Sequence, residues 1–336
     1  MTIRHVVPVA RKAATGRVAA VYTQSLADFG QAAFMMLSPA PEIQAATWAL
    51  LREAELVGRA PRVSKEVIAV AVSQANGCRF CIDAHTIMIH AHGTHDLAED
   101  LLHDRIPAEP AHAELAAWAA STRRLDAIPP HARPFPAEHA AEYLGTALAT
   151  HFTNRMFSAF TDEQLMPGNL QRSGVVRRVG AMAYTRVMQR ELAPGDSLPL
   201  LDGITAGLSP AWAAGTPIAA AFAALGGATA SGGDLLSTAA REIIYASVAR
   251  WDGAHLPPSG AWLAEALAGL PAAEQPGARL ALLASIDPHR IDAGAVAAWR
   301  ATGHSDDAEL VRLVAYGAFT AVQRIADTIT DPATMR

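Results

Sequence analysis

Apolar residues recur three and four positions apart through most of this chain, and alternating β-branched runs bounded by turn dipeptides are nearly absent. That periodicity predicts an all-α fold. Alanine-rich stretches such as "AELAAWAAS" and "AFAALGG" suit close helix packing, because small side chains let helix axes approach. With 336 residues, 51% of them hydrophobic and 18% charged, the chain has ample material for a core and the length of two ordinary domains. Residues 203–233 carry no charge and are long enough to cross a bilayer. Pro210, Gly215, Pro217 and the Gly226–Gly227 pair interrupt them, so the expectation is a buried helix between turns.

Internal echoes suggest that one helical unit is used twice. "SKEVIAVAVSQANG" from Ser64 matches "AREIIYASVARWDG" from Ala240, placing Glu66 on Glu242 and Gly77 on Gly253 at a shift of 176 residues. Leu37 onward resembles Leu208 onward, and "FTNRMFSAFT" resembles "AVQRIADTIT", with Arg155 on Arg324. The expected units are residues 1–168 and 169–336, joined near "MPGNLQRSG". The arginines are read as holding helix ends or subunit contacts, and Glu242 as capping or pairing locally.

Both cysteines lie in the first unit, in "VSKEVIAVAVSQANGCRFCIDAHTIMIHAHG". The reading is a helix, a turn at "QANG", and a second helix stopped by Gly93, with Cys78 and Cys81 in its first turn. Unpaired amides at a helix start favour thiolate over thiol. Helical spacing brings Cys78, Cys81 and His85 onto one stripe, while Glu66 sits among apolar neighbours Val63 and Val70, where a carboxylate needs a partner or a task. From the residues alone the sulfurs could be inert core thiols, zinc ligands with His85 and His90 or His92, or a redox centre. Structural zinc usually draws on two separated ligand pairs, and no second pair is present. His90, His92 and His95 read as helix C-terminal and surface residues; Phe34, Met35, Met36 and Trp48 read mainly as core, with a pocket lining as the alternative.

The spacing Glu66, Cys78, Cys81, His85, or E-x11-C-x2-C-x3-H, resembles the signature of the alkyl hydroperoxidase D (AhpD-like) branch of the carboxymuconolactone decarboxylase superfamily. The resemblance implies an all-helical, homo-oligomeric thiol peroxidase. In it Cys81 attacks the peroxide, Cys78 resolves the sulfenic acid as a disulfide, and Glu66 with His85 relays protons. It also implies re-reduction by a dithiol donor, either lipoyl-bearing or thioredoxin-like, and no bound metal, haem or flavin. The second unit, with Ala254, Pro257 and Ala261 where the first has Cys78, Cys81 and His85, resembles a degenerate copy. Arg79 and Phe80 differ from the Ser-His found between the cysteines of the best-known peroxidase; Arg79 could instead lower a neighbouring thiol pKa. A non-catalytic thiol sensor, or a decarboxylase or lactone-processing member of the superfamily, are the rival functions.

A net charge of -5 excludes a general nucleic-acid binder, which needs basic surface to displace counterions. Two cysteines cannot build a disulfide scaffold and fit the reducing cytoplasm, with no membrane partner expected. The basic start, with Asp28 as the first acidic residue, reads as an amphipathic first helix rather than a transit peptide.

Overall fold

The structure, a computed structural model, describes residues 2–125, 133–162, 174–257 and 259–331; within 174–188 it describes only some side chains. Among these, periodicity is realised as fourteen α-helices, and the one β-pairing is an isolated bridge from Ile3 to Thr161. The all-α expectation is met. No described helix is long and apolar enough to cross a membrane; the uncharged 203–233 segment contributes the buried helix Pro217–Gly233.

In the first half, α1 (Gly16–Phe29) and α2 (Pro41–Leu51) precede the pair α3 (Arg62–Asn76) and α4 (Arg79–Ala91), then α5 (His95–Leu102), α6 (Pro110–Ser121) and the long α7 (Ala140–Phe160). After α8 (Gly174–Met188) come α9 (Pro217–Gly233), α10 (Thr238–Arg250), α11 (Ala261–Leu267), α12 (Gln275–Ile286), α13 (Ala293–Arg300) and α14 (Asp307–Ile329). The predicted linker at 166–174 lies outside the described residues except for Gly174, which opens α8.

The two halves share one core. α2 packs on α9 and α7 on α14, and a single apolar cluster runs from Val21 and Trp48 through Phe152 to Trp299 and Ile325. Small residues set the closeness of these contacts. A Cβ on Gly317 of α14 would overlap the Ala281 carbonyl of α12, which is why "AYGAF" carries glycine mid-helix despite its helix cost of about 1 kcal/mol.

The halves also carry matching punctuation. α2 and α9 both open with proline at the first position, Pro41 and Pro217, separated by the same 176 residues as Glu66 and Glu242. Gly77 and Gly253 both take left-handed φ, 73° and 89°. The echo between Leu37 and Leu208 has no such counterpart in packing, since Leu37 is buried and Leu208 exposed.

Candidate active site around Cys81

α2 does not stop cleanly but widens into a π-helical turn, Arg52–Leu56, closed by the Val57 amide donating to the Arg52 carbonyl at 3.1 Å. Such turns are uncommon and concentrate at functional sites. Thr146 of α7 donates to the Ala54 carbonyl at 3.2 Å, and Gly145 lets α7 approach this closely, since a Cβ there would lie 2.9 Å from that of Ala54. The two acids of the turn then part company. Glu53 accepts from Arg52, the Gly195 amide and Ser197 Oγ, at 2.6 to 2.8 Å, and is structural. Glu55 lines a cavity.

The α3–α4 corner presents the thiols. α3 runs through "QAN", one turn beyond the predicted end, because Gly77 alone supplies the left-handed residue that stops it. The amides of Gly77 and Cys78 return to the Gln74 and Ser73 carbonyls at 3.0 and 2.9 Å. Cys78 is therefore the N-cap of α4, outside the helix, and only Cys81 lies in its first turn. Both thiols are free and buried.

Glu66 has the partner its apolar surroundings demand. His85 Nδ1–H donates to Glu66 Oε2 at 2.8 Å, and Glu55 Oε1 lies 3.6 Å from the same nitrogen. Burial opposes charge on His85, but Glu55, the hydrogen bond to Glu66 and smaller contributions from the charges of Glu66 and Cys78 outweigh it and hold its pKa up at about 9. Burial, then the charge of Glu66, raises Glu55 to about 7 against the pull of His85, Arg62 and Lys65. Among the described residues these three donors form the one group within 4.8 Å near enough to surround a cation. The direct His85–Glu66 bond uses that proximity to hold a proton.

Burial pushes the Cys81 thiol well above its ordinary range, reinforced by a hydrogen bond to Cys78, while a hydrogen bond with Asn154 pulls it down. This overturns the helix-start expectation for Cys81. A helix terminus is worth about 1 kcal/mol, under one pKa unit, whereas full burial can move a group by about 3–5 units, so burial wins. Cys81 in this resting arrangement is a protonated thiol that needs a base.

The cavity measures about 540 Å³, within the range of pockets for small organic ligands, and its walls are mostly apolar. Cys81, Glu55 and His85 meet on it, and Phe34, Met88 and Tyr184 line it with them. Cys78 opens elsewhere, onto a cleft of about 310 Å³ shared with Arg4, Arg79 and His289. The stacked rings of Phe80 and Phe157, centroids 4.5 Å apart, line both spaces and partition them.

The segment that carries the thiols and their acidic and histidine neighbours matches a known family. Residues 41–123, containing Glu55, Glu66, both cysteines and His85, match the model of the carboxymuconolactone decarboxylase family. Over 331 residues, 97% of this chain and 95% of the relative, the sequence is 39% identical to a Mycobacterium tuberculosis protein named alkyl hydroperoxide reductase. The chain belongs to the carboxymuconolactone decarboxylase family. No solved structure matches it significantly.

For this family member the structure brings together Glu66, Cys78, Cys81 and His85 and adds two residues that sequence reasoning missed. Glu55 left only a faint trace, the second acid of the "REAEL" that follows α2, and Asn154 sits in the "FTNRMFSAFT" of α7. Asn154 also donates to Ser73 Oγ at 3.1 Å and accepts from Asn76 at 2.9 Å, tying α7 to α3 beside the thiols. Phe34, Met35, Met36 and Trp48 all reach the cavity wall while Met36 and Trp48 remain fully buried, so they serve as core and lining together.

Two readings are corrected. His90 is not a surface residue: it is buried, 3.0 Å from His95 Nδ1 and 3.2 Å from Glu99. Glu242 is exposed on α10, whereas Glu66 is fully buried. Arg155 keeps its helix-end reading: buried mid-α7, it donates to the carbonyl of Ser285 in the last turn of α12 at 2.9 Å and to the His151 carbonyl at 2.8 Å.

Proposed function

We propose that this protein is a thiol-dependent peroxidase that reduces an organic hydroperoxide at Cys81. The observation that carries the reading is a buried thiol and a histidine paired with a carboxylate on one apolar cavity, with a second thiol beside the first on a neighbouring cleft. In this reading Cys81, deprotonated on substrate binding, attacks the terminal peroxide oxygen and becomes a sulfenic acid, releasing an alcohol. Cys78 then attacks the Cys81 sulfur, forming the disulfide and releasing water. Glu66 and His85 form a charged pair beside the thiol, and the identity to a protein named alkyl hydroperoxide reductase supports the same chemistry.

A dithiol donor, lipoyl-bearing or thioredoxin-like, would regenerate the thiols by attacking Cys78 from its own cleft. The hydroperoxide and the donor thereby approach one disulfide from two sides of the Phe80–Phe157 pair. The apolar walls favour an alkyl or aryl hydroperoxide over hydrogen peroxide, which gains nothing from apolar contact.

The test is consumption of cumene hydroperoxide driven by dithiothreitol. Wild-type protein is expected to turn over, Cys81→Ser to fall to background, and Cys78→Ser to consume one equivalent and leave a trappable sulfenic acid. Undiminished turnover by Cys81→Ser sinks the reading. Slow disulfide formation with no turnover under any dithiol would instead mark a redox sensor.

A further inference from the structure

We propose that Glu55, which lies outside the Glu66–Cys78–Cys81–His85 signature, is the proton carrier of the peroxide step: it takes the Cys81 proton and returns it to the departing oxygen. This rests on the peroxidase reading above and adds a catalytic residue to it.

Placement makes the case. Two carboxylates attend His85, and they are not equivalent. Glu66 is fully buried, spends Oε2 on His85 at 2.8 Å, and is not among the cavity-lining residues. Glu55 stands on the cavity wall with Cys81, and its Oε1 is 3.6 Å from His85 Nδ1, too far for a committed hydrogen bond. It is the carboxylate a bound hydroperoxide would meet. The π-helical turn carries it there, while Arg52 and Glu53 of the same turn anchor it to Asp28, Gly195 and Ser197.

Protonation agrees with placement. The groups facing Glu55 are Arg62, Lys65 and Glu66 from α3, and Cys81 and His85 from α4. Of the other helices packed on the turn, α9 carries no charged residue, Glu42 of α2 is tied to Arg312, and Glu142 of α7 is tied to Lys65. Burial and Glu66 leave Glu55 titrating at about 7, so near neutrality both its acid and its base forms are present. His85, at about 9, keeps its proton and is a poor base for a thiol. It serves as a positioning residue, a fixed cation between two carboxylates.

The step balances with one proton. Glu55 carboxylate accepts the proton of Cys81–SH; the thiolate attacks the terminal oxygen of ROOH, forming the S–O bond as the O–O bond breaks. Sulfur is oxidised by two electrons to Cys81–SOH, the peroxide is reduced, and Glu55 protonates RO⁻ to ROH and regains its starting form.

The test compares tert-butyl hydroperoxide, whose alkoxide leaving group needs a proton, with peracetic acid, whose carboxylate leaving group does not. Full-length wild type and Glu55→Gln are assayed with dithiothreitol, with thermal unfolding recorded for both. For tert-butyl hydroperoxide kcat/KM is expected to fall by about 10²-fold, and the peracid-to-hydroperoxide ratio of kcat/KM to rise by at least ~10-fold. A merely structural role lowers both substrates alike, so an unchanged ratio overturns the proposal. The wild-type pH profile for tert-butyl hydroperoxide should inflect near 7, the Glu55 value. Should Glu55→Gln not fold, a wild-type profile without that inflection overturns it instead. A wild type that consumes neither peroxide removes the peroxidase reading and Glu55 with it; turnover with an unchanged ratio removes Glu55 alone.

Discussion

His85 carries a stability consequence of its own. Its folded pKa, about 9, lies above the ordinary value of 6.5, so its proton contributes stability that is fully present below about 6.5 and is lost as pH rises through about 9. Glu55, raised from 4.5 to about 7, shifts in the same direction over its own window, contributing below 4.5 and fading through 7. The melting-temperature gap between wild type and His85→Gln should therefore be widest near pH 6 and narrow by pH 9.5. A gap that widens toward alkaline pH would contradict the imidazolium assignment. At this scale the sequence announced Glu66, Cys78, Cys81 and His85 through spacing, because two adjoining helices place such offsets on facing turns. It could not announce Glu55, which belongs to a third element brought in only by packing.

At the scale of elements, the segment 57–61 fixes how the π-helical turn bearing Glu55 meets α3 bearing Glu66. Gly58 adopts φ 112°, and the Arg59 and Ala60 amides donate to Glu142 at 2.8 and 3.0 Å, with buried Lys65 bonded to the same carboxylate. A Cβ at position 58 would overlap that carboxylate. Gly58→Ala is expected to cost about 2 kcal/mol or more in denaturant unfolding, combining backbone strain with a displaced clamp, and to lower peroxide turnover beyond what instability explains. Neutral stability would show that the segment rearranges freely. The helices themselves were legible from apolar period and from Pro and Gly punctuation. Their ends were less so: α3 overran its predicted turn because Gln74, Ala75 and Asn76 all tolerate helix when a glycine waits behind them.

Across the whole molecule, the second half supports the first without repeating its chemistry. We propose that residues 1–168 and 169–336 are two copies of one helical unit, the second degenerate; paired Pro41 and Pro217, and paired Gly77 and Gly253, support this. The stretch at 254–257, aligned with "CRFC", braces the end of α3 through His255 Nε2 on the Ala75 carbonyl at 3.0 Å, and His289, just after α12, adds Nε2 on the Asn76 carbonyl at 3.2 Å. Because one apolar cluster crosses both halves, urea should unfold them together, with helical signal and peroxide turnover lost in one transition. Two separated transitions would mean that the halves are independent.

By itself the sequence determined the all-α class and the offsets that link Glu66, Cys78, Cys81 and His85, because periodicity and short offsets are local and survive as text. Tertiary structure alone decided that Glu55 joins the site, that Cys81 is held as a thiol, and that the two sulfurs open onto different spaces. Each of these depends on burial and on how separate elements pack in space, and neither quantity is written in the order of residues.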